Sequence, residues 1–228
     1  MVRTICLIAL AAVASGFAAP FAAVPRPART AAEPVVHWRD SRAVGLPAAG
    51  RLVRGVRLPA GGARFFTWDP LLHRKPNRAW RRWGTDELVG LVLRVVGAYS
   101  AAHPHAPRLG IGDLSRRRGG RFGLLHASHQ NGLDVDVYYP RRDRRERPPR
   151  VAAQVDTRLA QDLVDRFAAA GAELVFVGPN TGLTGPPGIV EVLWNHDNHL
   201  HVRIEPGTGR AVATRSSVSR PEDGECCG

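Results

Sequence analysis

Between Cys6 and Cys226 the chain has no cysteine. That excludes a disulfide-stapled domain and a cysteine-type zinc site. Cys226 and Cys227 are neighbours, and one peptide separates their Cα atoms too little for ordinary disulfide geometry. Lysine is almost missing as well: Lys75 is the only one, so the net charge of +12 is an arginine charge. Such biased usage weakens any argument from charge to nucleic acid, and no clustered lysine–aromatic pattern supports it. A basic chain suits an anionic wall polymer equally well. No Gly-x-Ser-x-Gly or Ser-x-x-Lys context offers a serine nucleophile. No Gly-x-Gly-x-x-Gly opens a helix, which removes the dinucleotide fingerprint.

What remains is enough for one domain with tails: 228 residues, 44% of them hydrophobic. Met1 to Ala19 reads as a secretory signal, with Arg3, an apolar run from Thr4 and small residues at its end. The run is short for a membrane span, and no lipobox surrounds Cys6. The expected division is a signal peptide over 1–23, a Pro/Arg/Ala linker over 24–42, a folded domain over 43–206 and a disordered polar tail over 207–228.

The chemistry is concentrated in two stretches. His126-Ala-Ser-His-Gln-Asn-Gly-Leu-Asp-Val-Asp136 carries two histidines and two carboxylates. Asn195-His-Asp-Asn-His-Leu-His-Val-Arg203 carries three more histidines. Three ligands drawn from His, Asp, Glu or Cys, with one open position, are what a catalytic zinc requires. From Leu133 the residues alternate. Leu133, Val135 and Val137 are apolar and Asp134 and Asp136 polar, which predicts a half-buried strand with both aspartates on one face. From His199 the alternation recurs, so His199, His201 and Arg203 share a face opposite Leu200, Val202 and Ile204. Gly132 suits a tight turn between His129 and the first of these strands.

Around them the pattern predicts a helix from Thr85 to Tyr99, capped by Thr85, and a second from Asp156 to Ala170. Short strands and loops are expected over Ala43 to Pro70, and further strands at Arg108–Leu114 and Glu173–Gly178. His103-Pro-His105 reads as a solvated turn, and Arg141 to Arg150 as a solvated loop. Trp68, Trp80 and Trp83 are expected to pack against the first helix. Asp113 is either a turn aspartate or a carboxylate that orients a ligating histidine.

His-x6-Asp followed by a distant His-x-His resembles the zinc peptidase group of lysostaphin, D-Ala-D-Ala peptidases and the hedgehog signalling domain. The fuller wording of both stretches, with Gly112-Asp-Leu-Ser-Arg-Arg-Arg-Gly-Gly120 upstream, is similar to the penicillin-insensitive murein endopeptidases. The resemblance implies an α+β fold, with a small antiparallel sheet carrying a zinc site and helices on its other side. It implies His129, Asp136 and His201 as zinc ligands. It implies that His199 acts on the attacking water, and that His196 stabilises the oxyanion if protonated or orients substrate. It leaves His126 as a second metal ligand or a supporting group. Asp134 is expected to give a supporting hydrogen bond rather than ligation. Some members carry an extra Asp-x-x-His pair between the motifs. No histidine lies between His129 and His196 here, so one Zn2+ per chain is expected.

The activity implied is hydrolysis of peptidoglycan peptide crosslinks, D-alanyl to meso-diaminopimelate, by water activated on zinc and a histidine base. The implied setting is secretion to the periplasm or cell wall, without nucleic acid or a membrane span. The rival readings are a D,D- or L,D-carboxypeptidase on the same scaffold, and a catalytically silent wall-binding module.

Overall fold

The computed structural model describes residues 34–123 and 126–207. The expected signal peptide, most of the linker, the tail beyond Gly207 and all three cysteines lie outside the described residues. Among the described residues ten strands and two α-helices follow one another: β1 (Arg42–Leu46), β2 (Ala49–Val53), β3 (Val56–Arg57), β4 (Phe65–Thr67), β5 (Trp83–Gly84), α1 (Asp86–Ala102), β6 (Leu109–Ile111), β7 (Asp134–Tyr138), α2 (Thr157–Ala169), β8 (Ala172–Val177), β9 (Val190–Val192) and β10 (His199–Ile204).

Six strands form one sheet in the order β4-β6-β7-β10-β8-β9. The expectation of an antiparallel sheet is corrected here. Its centre is antiparallel, from β6 through β7 and β10 to β8, but both outer pairs, β4 with β6 and β8 with β9, run parallel. A parallel neighbour needs a long crossover. Helix α1 supplies one, and the Gly/Pro-rich segment between β8 and β9 supplies the other. Two-stranded ribbons, β1–β2 and β3–β5, sit beside this sheet.

The helices start where local chemistry predicts. Thr85 Oγ1 accepts from Leu88 N at 3.1 Å, and Asp86 and Glu87 complement the helix dipole in the first turn of α1. Asp156 caps α2 by accepting from Leu159 N at 3.2 Å. The stripe Leu88, Leu91, Val92, Val95, Val96 and Tyr99 is buried, as is Leu159, Leu163, Val164 and Phe167 on α2. These faces pack on Val135, Val137, Leu200, Val202 and Ile204 in one core. Each such aliphatic side chain contributes roughly 1.5–3 kcal/mol on burial. The polar partners on β7 and β10 are thereby turned to the opposite face.

Two expectations about exposure are corrected. Strand β7 is buried on both faces: Asp113, His126 and His129 meet Asp136, and His201 and Arg203 meet Asp134. His103 is not solvated: it packs on the Tyr99 ring and pairs with Asp162 at 3.1 Å. The Arg141–Arg150 loop is largely exposed, as expected, and is also tied down from within. Buried Arg141 holds Asp143 and Gln154. Glu146 accepts from Arg108 Nε at 2.7 Å and Lys75 Nζ at 2.9 Å. In the expected linker, Ser41 is buried and its Oγ donates to Asp86 at 2.5 Å.

The hydrogen bond from Arg108, working against burial, pushes the Glu146 carboxyl down to about 2 from an ordinary value near 4.5. A depressed carboxyl stabilises the fold above its unfolded pKa and loses that contribution as pH falls through the folded one. We expect Glu146→Gln to be less stable than the parent by about 0.5–1 kcal/mol at pH 6, allowing for solvent screening. Urea unfolding of both proteins from pH 6 to pH 2 should bring the two stabilities together at the acid end. A gap that persisted unchanged would mean the ion pairs contribute nothing.

Candidate metal centre

β7 and β10 pair in antiparallel register with His201 opposite Asp136 and Arg203 opposite Asp134. Register alone therefore sets one imidazole beside one carboxylate across the middle of the sheet. The third group arrives from the loop before β7. His129 has φ +65°, a left-handed conformation uncommon for a side chain larger than glycine. It is held there from both sides: its N–H donates to Asp134 Oδ2 at 3.0 Å, and its carbonyl accepts from Ser115 Oγ at 2.6 Å. Gly132 follows at φ +82°, where an added Cβ would press on Leu52 at 2.9 Å.

The outcome is a closed triangle of donor atoms. His129 Nε2 lies 3.2 Å from His201 Nδ1 and 3.3 Å from Asp136 Oδ1, and His201 Nδ1 lies 3.2 Å from Asp136 Oδ1. A tetrahedral ion about 2.0 Å from each donor demands edges of about 3.3 Å. The residues therefore fit a zinc-like ion. Each imidazole also has its other nitrogen committed. His129 Nδ1 donates to the Leu114 carbonyl at 2.5 Å, which leaves Nε2 as the lone pair. His201 Nε2 faces Asp134 Oδ1 at 3.0 Å, which aims Nδ1 into the triangle.

The electrostatics favour a cation at that point. Burial works against charge on Asp136, yet the imidazoles around it, His129 first, hold its carboxyl well below the usual range. Burial likewise opposes charge on His201, but hydrogen bonds to Asp134 and Asp136 raise it to about 9. Asp134 itself is pulled to about 2 against burial, chiefly by the His201 hydrogen bond.

His126, His129 and Asp136 form a second grouping, with ligand atoms within 4.8 Å of one another. It is looser than the first, and His126 is engaged elsewhere. Its Nε2 lies 3.2 Å from Asp113 Oδ2 and 3.4 Å from Asp136 Oδ2. Those hydrogen bonds raise it to about 9 despite burial. Asp113 is fully buried. It pairs with Arg81 through both carboxylate oxygens, one contact being Arg81 Nε at 2.6 Å, and accepts from Asn77 Nδ2 at 2.9 Å.

His199 and His196 stand at the open side, their ring centroids 4.6 Å apart. His199 Nδ1 meets Asn198 Oδ1 at 2.6 Å, so Nδ1 carries the proton and Nε2 keeps its lone pair, 3.8 Å from Asp136 Oδ1. Burial lowers His199 to about 4. His196 is also lowered by burial, and its Nδ1 donates to the Trp194 carbonyl at 3.0 Å. Both rings are therefore neutral and present acceptors. Sequence reasoning missed Arg81, Ser115 and the Leu114 carbonyl. None stands at a spacing that marks it. Asn198 lay in plain view between His196 and His199.

A family model described as "Penicillin-insensitive murein endopeptidase" matches residues 43–172, more than half the chain. The chain belongs to that family. The matched residues include β7, its aspartates, His126 and His129; the second histidine stretch follows beyond them. Among curated penicillin-insensitive murein endopeptidases, that of Yersinia pestis bv. Antiqua (strain Antiqua) is 41% identical over 61 residues, 25% of this chain and 20% of the relative. That of Salmonella paratyphi C is 40% identical over 58 residues, again 25% and 20%. The alignment with the Yersinia enterocolitica murein endopeptidase is longer and weaker, 33% over 97 residues, 42% of this chain and 32% of the relative. Each alignment thus spans no more than about a third of the relative's length.

Proposed function

We propose that this protein is a zinc-dependent murein endopeptidase that hydrolyses peptide crosslinks of peptidoglycan. The observation that carries the reading is the donor triangle of His129, Asp136 and His201 with the neutral His199 beside it. A zinc ion there, one per chain, would polarise a scissile carbonyl and acidify a water. His199 is the base. Its Nε2 lone pair faces the site, and Asn198 fixes the tautomer. Negative charge gathering at the carbonyl strengthens it as a proton acceptor, and it returns the proton to the leaving amine. His196 begins as an acceptor too. It orients the substrate, and it donates to an oxyanion only after taking up a proton. Asp134 orients His201, and Asp113 orients His126. The D-alanyl to meso-diaminopimelate bond is the expected target, reached outside the cytoplasmic membrane. Among the described residues no helix is long and apolar enough to cross a membrane.

Crosslinked muropeptide dimers incubated with the zinc-loaded protein, followed by mass spectrometry, test this. Conversion to monomers that stops with a chelator supports the endopeptidase. Loss of a terminal D-alanine alone would indicate a carboxypeptidase, and no change a wall-binding module. Asp134→Asn should leave the three ligands in place but misdirect His201. Zinc affinity should drop 10–100-fold, read by competition with a fluorescent chelator. An unchanged affinity would remove Asp134 from the design.

A further inference from the structure

Arg116, Arg117 and Arg118 line an open cavity of about 430 Å³ together with Trp80 and Gly119. Trp80 is 37% exposed. Its ring is a platform for guanidinium groups: Arg81 at 4.8 Å, Arg78 at 5.1 Å and Arg116 at 5.2 Å from the centroid. Arg117 lies over Trp83 at 5.8 Å. The five arginines differ in one respect. Asp69 neutralises Arg78 and Asp113 neutralises Arg81. Among the described residues no carboxylate pairs with Arg116, Arg117 or Arg118, all of which are exposed. Three adjacent positive charges, two of them seated on aromatic faces, are thus left facing one cavity.

This cavity is fixed to the metal centre. Phe122 contacts Trp80 at 5.6 Å, His126 at 4.9 Å and His129 at 5.5 Å between ring centroids. Leu52 N donates to the Arg118 carbonyl at 2.9 Å, and Gly120 N donates to the Gln130 carbonyl at 2.8 Å, one residue past His129. Two ring contacts therefore separate the arginine platform from a candidate ligand. Roughly three residues of extended peptide cover that span.

We infer that the Trp80–Arg116–Arg117–Arg118 cavity is a carboxylate-binding subsite, which holds an anionic group of the substrate peptide within about three residues of the bond to be cut. The inference rests on the peptidase reading and specifies its substrate as an acidic peptide. A crosslinked stem dimer suits it, because diaminopimelate keeps a carboxylate free on the amine side of the bond, within that reach. Guanidinium groups grip a carboxylate through paired N–H donors. The ring faces beneath reduce the rotamer freedom lost on binding.

The test is calorimetry of the chelator-treated full chain, which cannot turn over, with one crosslinked dimer in two forms: free acid and diaminopimelate-amidated. The wild type should bind the acid about tenfold more tightly, with the preference shrinking in high salt. R116Q/R117Q/R118Q should bind both forms at the amidated level, with its thermal midpoint unchanged. If the triple variant fails to fold, R117Q alone should lose part of the preference. A wild type that does not distinguish the forms overturns the inference. So does a variant that keeps the preference, or one that weakens both forms equally. Cleavage by the zinc-loaded protein is scored separately. If neither dimer is cut, the hydrolytic reading fails while the binding difference still decides the subsite.

Discussion

His201→Ala should abolish both zinc binding and crosslink cleavage, with each falling by about a thousandfold or more. That exceeds the 10–100-fold typical of a group that only supports a ligand. The substitution removes one donor from a triangle of three. It also leaves Asp134 and Asp136 as like charges with one cation fewer between them. The aspartates should then resist ionisation, which weakens what remains of the site. A related expectation concerns protons. His201, raised to about 9, holds a proton at the proposed zinc position. Zinc binding at pH 7 should therefore release protons, and affinity should climb as pH rises toward 9. Titrations in buffers of different ionisation enthalpy report the number released. Proton-free binding at pH 7 would contradict the geometry. Metal content by mass spectrometry and dimer cleavage complete the comparison for His201→Ala.

Arg81→Met should be the most damaging substitution outside the donor triangle. The Arg81 side chain is 4% exposed and that of Asp113 is 0% exposed. Removing one partner of a buried pair strands the other, at a cost of about 3–5 kcal/mol. At roughly 2–4 °C per kcal/mol for a domain of this size, the thermal midpoint should drop by about 6–20 °C. Asp113 would keep Asn77 and His126 as partners, so the protein should still fold in the cold. Arg81→Met/Asp113→Leu should recover part of the loss, because no buried charge is then unpaired. In that double variant His126 loses the carboxylate that helps hold its proton. Its NMR-detected titration should move down from about 9. A single variant as stable as the parent would mean solvent reaches the pair.

How much of this could be read in the sequence follows from the range of each interaction. The alternation from His199 to Ile204 is local, and β10 carries it. The caps Thr85 and Asp156 act within three residues, so both helix starts were legible. Both aspartates of β7 lay on one face for the same reason. The mixed sheet was not legible, because its outer pairs depend on where α1 and the segment after β8 return the chain. The pairing of His201 with Asp136 needs a register between distant strands. The hold on His129 needs a serine hydroxyl and a backbone carbonyl from another loop. Arg81 is one arginine among many, and only burial against Asp113 distinguishes it.

β10 is the last strand described, yet it lies at the centre of the sheet between β7 and β8. Synthesis runs the other way, delivering the first histidine stretch long before the second. Until β10 inserts, β7 and β8 lack the neighbour that joins them, and His129 and Asp136 lack their third donor. Completion of the fold and closure of the donor triangle are thus one event. A nascent chain, or one clipped before His199, lacks His201 and cannot close the donor triangle. On the proposed reading, the order of the strands serves as a safety catch.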